Sequence, residues 1–240
     1  MLILMGAIWQ VTGFVFIWII LSQFRALGGW SFDDISFLYG FRLFVHALSM
    51  LIFGMFQRIG GLVRSGDFDV FLVQPPPPLL RVMTHRFPIA AFGDLLSGVL
   101  VFAVANMHAK VDWSFLAVLY LLLAILGGCL VEAGIKLATS SLAFRALSVS
   151  SLVGLFDEVL RVTGSYPLTI YANSIRLLFT FVIPVAFLAY FPATVLLHRT
   201  NELSVNPVIA YLSPLVGIIL FSCAYLFFHN ELKHYQSAGH

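Results

Sequence analysis

The chain has 240 residues, 60% of them hydrophobic and only 10% charged, with a formal net charge of +2. Soluble domains hold about 45–50% apolar and about 25% charged residues, so a water-soluble enzyme of this length would lack a wettable exterior. A mean hydropathy of +0.99 agrees; disorder, collagen, coiled coil and a disulfide-rich scaffold are excluded, and so small a charge leaves no footprint for nucleic acid.

A membrane-crossing helix needs about 20 mostly apolar residues. Residues 1–24 are uncharged and supply the first. They exceed the apolar core of a signal peptide, about 7–15 residues, and no basic region precedes them, so they read as a retained helix. The second span is 35–57, interrupted by Arg42 and His46. Residues 58–86 then form a long basic segment with Arg58, Arg64, Arg81 and Arg86. The run Pro75 to Pro78 cannot continue a helix and favours an extended polyproline conformation. Before it, Ile59 to Val73 has room for a short amphipathic helix.

The third span is 87–107, with Asp94 two turns inside it, and the fourth is 113–135. Glu132 and Lys136 are four apart and pair along one face, with Glu on the preferred side. Near a helix end, snorkelling satisfies them. A second long segment, 136–169, carries Lys136, Arg145 and Arg161. Its uncharged part, Ala146 to Phe156, is half of what a span needs, so it reads as an interfacial or cytoplasmic helix, with a half-inserted hairpin as the alternative. The fifth span is 170–191 and the sixth 205–228. Between them, 192–204 begins at Pro192 and either dips back into the outer leaflet or extends the fifth helix. The sum is an all-α polytopic membrane protein with six transmembrane helices, one domain over 1–240. Backbone groups in lipid must be bonded internally, and the apolar runs are too continuous for barrel strands.

Cytoplasmic loops collect Lys and Arg. With both long segments inside, Arg58, Arg64, Arg81, Arg86, Lys136, Arg145, Arg161, Arg176 and Lys233 lie inside or at that border, against Arg25, Lys110 and Arg199 outside. Both termini then face the cytoplasm, in the cell's inner (plasma) membrane.

Catalytic signatures are missing from the sequence. No Lys follows a Gly, so no P-loop exists; there is no H-E-x-x-H and no G-x-S-x-G. Cys129 and Cys223 lie in apolar runs and read as packing residues. Charges inside spans are expensive and default to functional hypotheses. Arg42, Asp94, Glu132 and Lys136 qualify. Structural pairing is the competing reading for each, and Arg42 also fits contact with an anionic headgroup or substrate.

Several stretches together resemble the ABC-2 family of transporter permeases, in its branch of six-helix permease components. They are LGGWSFDDISFLYG (27–40), RSGDFDVFLVQPPPPLL (64–80), SLAF (141–144), YPLTIY (166–171), FVIPVAFLAYFPATVLL (181–197) and ELKHYQSAG (231–239). Gln74-Pro75 stands where members commonly have Arg-Pro, and Glu231 where Gly is usual. The resemblance implies an ABC-2 type permease fold and a permease subunit of an ATP-driven transporter, an exporter by family. It is not itself an enzyme: separate ABC ATPase subunits bind ATP and Mg, and this chain holds no cofactor. A second identical or related permease completes the membrane domain within lipid. The resemblance also maps ATPase coupling onto 58–86 and 136–169. In the first segment it falls on Arg64, Gly66, Asp67, Phe68, Asp69 and Phe71, with Phe68 or Phe71 filling a cleft on the ATPase. In the second it falls on Phe156, Asp157, Glu158 and Arg161. An outer re-entrant element is expected at 192–200. The rival readings are an ion-coupled secondary carrier, which wants more intramembrane ionisable groups, and a membrane-embedded lipid-processing enzyme, which wants a catalytic constellation.

Overall fold

The computed structural model describes residues 8, 12, 15, 19, 26–86, 88–146 and 149–236. The first predicted span, 1–24, therefore lies almost wholly outside the described residues, as do Arg25 and the tail beyond Gln236. Helices are numbered within the described part.

Leu27 and Trp30 close a tight turn by mutual backbone hydrogen bonds of 3.0 and 3.1 Å. Gly28 and Gly29 occupy it at φ +59 and +86, the left-handed region that glycine enters without a Cβ penalty. Ser31 then caps α1 (Phe32–Phe53): its hydroxyl accepts from Asp34 N, and Asp34 Oδ2 accepts from Ser31 N at 3.0 Å. This capping box satisfies two orphan donors reciprocally. A tighter turn, Gly54–Arg58, leads into α2 (Ile59–Ser65). Gly66 stops α2 in the left-handed conformation, and α3 (Phe68–Val73) and α4 (Pro78–His85) flank the prolines. We call the two ends of the bundle the Trp30 end and the Pro75 end.

From the Pro75 end, α5 (Ala91–His108) runs back along α1, and α6 (Phe115–Ser141) descends again. Asp94 lies in the first turn of α5, not two turns inside, where a carboxylate complements the helix dipole. The last long helix, α11 (Ser213–Leu232), follows a short α10 (Val208–Tyr211) and lies parallel to α6. A Cβ on Gly217 would stand 2.2 Å from Gly127 O, so these two backbones touch. Small residues permitting such approach drive helix association where lipid removes the hydrophobic force. Four helical stretches among the described residues are long and apolar enough to cross a membrane: Phe32–Ser65, Ala91–His108, Phe115–Phe144 and Ser213–Leu232.

The fifth predicted span is corrected. Residues 170–191 form two short legs rather than one helix. Going down, α8 (Asn173–Leu177) continues through a wider turn, Leu178–Val182, and ends at Ile183–Pro184. Proline has no N–H to continue a helix, and the residue before it is pushed out of the α region. Coming back, Val185–Phe187 and α9 (Tyr190–Leu196) return to the Trp30 end. Both mouths of this hairpin are fixed there: Arg176 donates to Thr169 O and Ser204 Oγ, and Tyr190 packs on Trp30 at 5.6 Å. Its tip borders Gly134 and Ile135, well down α6.

Between α6 and this hairpin runs α7 (Ser150–Thr163), which the sequence places at the interface or in the cytoplasm. It lies against α6. Its capping Gly164 sits where a Cβ would be 3.5 Å from Arg42 Cγ, and Thr169 and Ile170 reach Gly28 at the Trp30 end. The non-helical piece between, with Ser165, Pro167 and Leu168 buried, is enclosed by protein. The charge distribution changes with it: Arg176 belongs to the Trp30 end. That end holds Lys110, Arg176 and Arg199; the Pro75 end holds Arg58, Arg64, Arg81, Arg86, Arg145 and Lys233.

Candidate functional site

Charged side chains from three helices meet inside the bundle. At 1.5 Å per residue, Arg42 stands about 15 Å and His46 about 21 Å along α1. Lys136 Nζ donates to Glu132 Oε1 at 2.7 Å, so the four-residue spacing does form a pair. The pair does not snorkel. Glu132 is 1% and Lys136 3% exposed, because α1 and α7 cover them. His46 Nδ1 lies 2.7 Å from Glu132 Oε1, and Asp157 Oδ1 3.1 Å from Lys136 Nζ. Two charges taken out of water are tolerated only when geometry and further hydrogen bonds compensate them. Here one lysine takes two carboxylates, and one carboxylate takes a lysine and a histidine.

Arg42 is also buried, at 3% exposed, yet its Nε has no hydrogen-bond partner among the described residues. It lies in the field of Glu132, Tyr39, Asp157 and Arg161. Nearer the Trp30 end, Glu158 and Arg161 pair with each other on the exposed side of α7, Nε to Oε2 at 2.8 Å. Phe156 faces a crevice of about 330 Å³ between α6, α7, the hairpin tip and α11. The four residues expected in the second coupling segment thus lie alongside the helices, while Ser150 reaches the Pro75 end.

At that end, Phe68 is fully buried. Its ring meets Phe144 at 5.0 Å, Tyr235 at 5.5 Å and Phe71 at 5.9 Å, all edge-on. Phe71 is buried too, under His85 and Arg81. Neither ring is free to fill a cleft on a partner, because each is used within its own subunit. Tyr235 Oη donates to Asp69 Oδ1 at 2.6 Å, and burial and that carboxylate push the phenol up to about 12, so it stays a donor. Arg145 pairs with buried Glu231 and so pins the tail. Facing outward instead are Arg64, Asp67, Pro75 to Pro77 and Val73, the last 80% exposed. A groove of about 380 Å³ opens beside Gly66, lined by Arg58, Arg64, Asp67, His85, Arg86 and Ser150 among others.

Sequence reasoning missed two partners in the buried cluster. His46 was visible as a polar residue four after Arg42, one helical turn along the same face. Asp157 reads from the sequence as part of an interfacial or cytoplasmic helix and as a coupling residue. No group of three or more His, Cys, Asp or Glu that could hold a metal occurs among the described residues.

A family model described as ABC-2 family transporter protein matches residues 7–239. No curated protein and no solved structure matches the chain.

Proposed function

The chain belongs to the ABC-2 transporter family, and from that premise we propose that it is the permease of an ATP-driven exporter, working beside a second permease and driven by ATPase subunits docked at the Pro75 end. The observation that carries this reading is family membership in a chain that has no P-loop of its own: the path and the hydrolysis reside in different subunits. The six crossings are 1–24, α1, α5, α6, α7 with the buried segment to Ile170, and α11. The hairpin 173–197 is the re-entrant element, larger than the 192–200 expected from sequence. Lys and Arg favour the Pro75 end by six to three among the described residues, which supports a cytoplasmic Pro75 end and, with six crossings, cytoplasmic termini. ATP and Mg belong to the partner.

Coupling uses the outward surface of the first segment: Arg58, Arg64 and Arg86 around the groove, with Val73 and the prolines beside it. Phe68 and Asp69 act from beneath, by holding that surface rigid against Phe144 and Tyr235. Purification of the chain from its native membrane tests the reading. A P-loop ATPase is expected to stay bound, and the chain stripped of it to hydrolyse no ATP. Hydrolysis persisting after every P-loop subunit is removed would refute it.

A further inference from the structure

The buried cluster is uneven in how its charges are used. Lys136 takes two carboxylates, Glu132 and Asp157. Arg161 takes Glu158 with two of its nitrogens. His46 shares Glu132. Three carboxylates are thereby engaged, although Glu132 Oε2 keeps no partner among the described residues, and Arg42 is left with no ion pair and no hydrogen bond among them. A buried guanidinium without an acceptor is among the costliest arrangements a spanning helix can hold. Its Nε is sealed, whereas the two terminal nitrogens keep the residue's small residual exposure. Gly164 lies against its stem: a Cβ there would stand in ordinary contact with Arg42 Cγ, at 3.5 Å. Arg161, half exposed on the same side of α7, adds a second positive group in the same field as Tyr39 and Tyr166.

We propose that Arg42 is a recognition site for an anionic group, a phosphate or carboxylate, carried by an amphipathic molecule that reaches it from the exposed side of α7. A tetrahedral or planar anion offers the paired acceptors that a guanidinium fork matches. Leu155 and Val162, exposed on the face of α7 that also carries Glu158, suit the molecule's hydrocarbon part. Arg161, on the exposed face of α7 with Glu158, guides the anion inward. This rests on the permease reading, in which such a molecule is the cargo or a bound lipid.

Binding to the full chain, purified in a maltoside detergent with whatever subunits remain attached, tests it without requiring ATPase function. Dihexanoyl phosphatidic acid is expected to bind and to raise the thermal unfolding midpoint. Dihexanoylglycerol, lacking the anion, should do neither, and inorganic phosphate should bind at least about tenfold more weakly, because it lacks the apolar part. Arg42→Gln should lose about tenfold or more in affinity, and Arg42→Lys should fall between, keeping charge without the fork. Because Arg42 has no bonded partner among the described residues, the glutamine variant is expected to fold. Should it fail to, Arg161→Gln decides, with an expected loss of about threefold. Equal binding by wild type and by the variant that folds overturns the site. Equal binding of dihexanoylglycerol overturns the role of the anion, and equal binding of phosphate overturns the amphipathic occupant. Failure of the permease reading would show separately, as the absence of any co-purifying P-loop subunit.

Discussion

At Lys136 a single ammonium holds two carboxylates on different helices, so its removal has a larger effect than the loss of one pair. Lys136→Met strands Glu132, 1% exposed, with His46 as its remaining partner, and leaves Asp157, 39% exposed, beside it. We expect a loss of about 3–5 kcal/mol of stability, the range for breaking a buried ion pair. The double variant Lys136→Met with Glu132→Gln removes the stranded charge on α6 and should lose less than the two single changes added together. Thermal unfolding of the four proteins in detergent measures this; additive losses would show that the cluster is not one network. Phe68 makes a parallel case at the other level. Fully buried among Phe71, Phe144 and Tyr235, its ring is a core side chain, and Phe68→Ala should cost about 3–5 kcal/mol, seen as lower yield of folded protein. Phe68→Leu should recover most of it. An alanine variant that folds as well as wild type would restore Phe68 as a candidate for direct contact with a partner.

In the proposed topology the hairpin 173–197 and helix α7 exchange the roles the sequence gives them, and the physical reason lies in which residues had visible partners. The stretches α1, α5, α6 and α11 were legible because their apolar runs are long and their few charges isolated. Helix α7 reads from the sequence only as an interfacial or cytoplasmic helix, because Asp157, Glu158 and Arg161 fall within five positions after too short an apolar run. What permits Asp157 there is Lys136, twenty-one positions earlier and on another helix. Residues 170–191 look like a span in hydropathy alone, yet Pro184 ends the descending leg midway. The pair Glu132 and Lys136 was legible from its spacing, whereas its burial depends on α1 and α7 and was not. The exchange has a measurable consequence. With Cys129 and Cys223 replaced by alanine, single cysteines at Ser174 and Asn201 should both react with an impermeant thiol reagent applied outside intact cells. One at Ser65 should be shielded. If 170–191 crossed as a single helix, Ser174 would be shielded as well, so protection of Ser174 beside labelling of Asn201 would restore the simple span.

Across the whole molecule, α1 passes through Gly54–Arg58 into α2 as one helical stretch from Phe32 to Ser65. The cap at the Pro75 end is tied to that stretch and to the tail by Phe68, by Tyr235 to Asp69 and by Arg145 to Glu231. A force applied to the cap therefore reaches Arg42 and His46 through a continuous rod. The groove where a partner would apply it is rimmed by Arg58, Arg64 and Arg86, with Asp67 the acidic residue among its lining. Charges at a rim govern encounter rate and salt dependence more than final affinity, and exposed charges are screened within about 8–10 Å at physiological salt. Arg64→Glu with Arg86→Glu should weaken ATPase binding by about three- to tenfold at low ionic strength, chiefly through slower association, and the deficit should shrink as salt is raised. Val73 is apolar and largely exposed. Burying it against the ATPase contributes without charge, so Val73→Asp should weaken binding at every salt concentration. Association and dissociation rates of the purified subunits, measured across a salt series, separate the two effects. Wild-type rates in the doubly reversed variant at low salt would move the docking surface away from this groove.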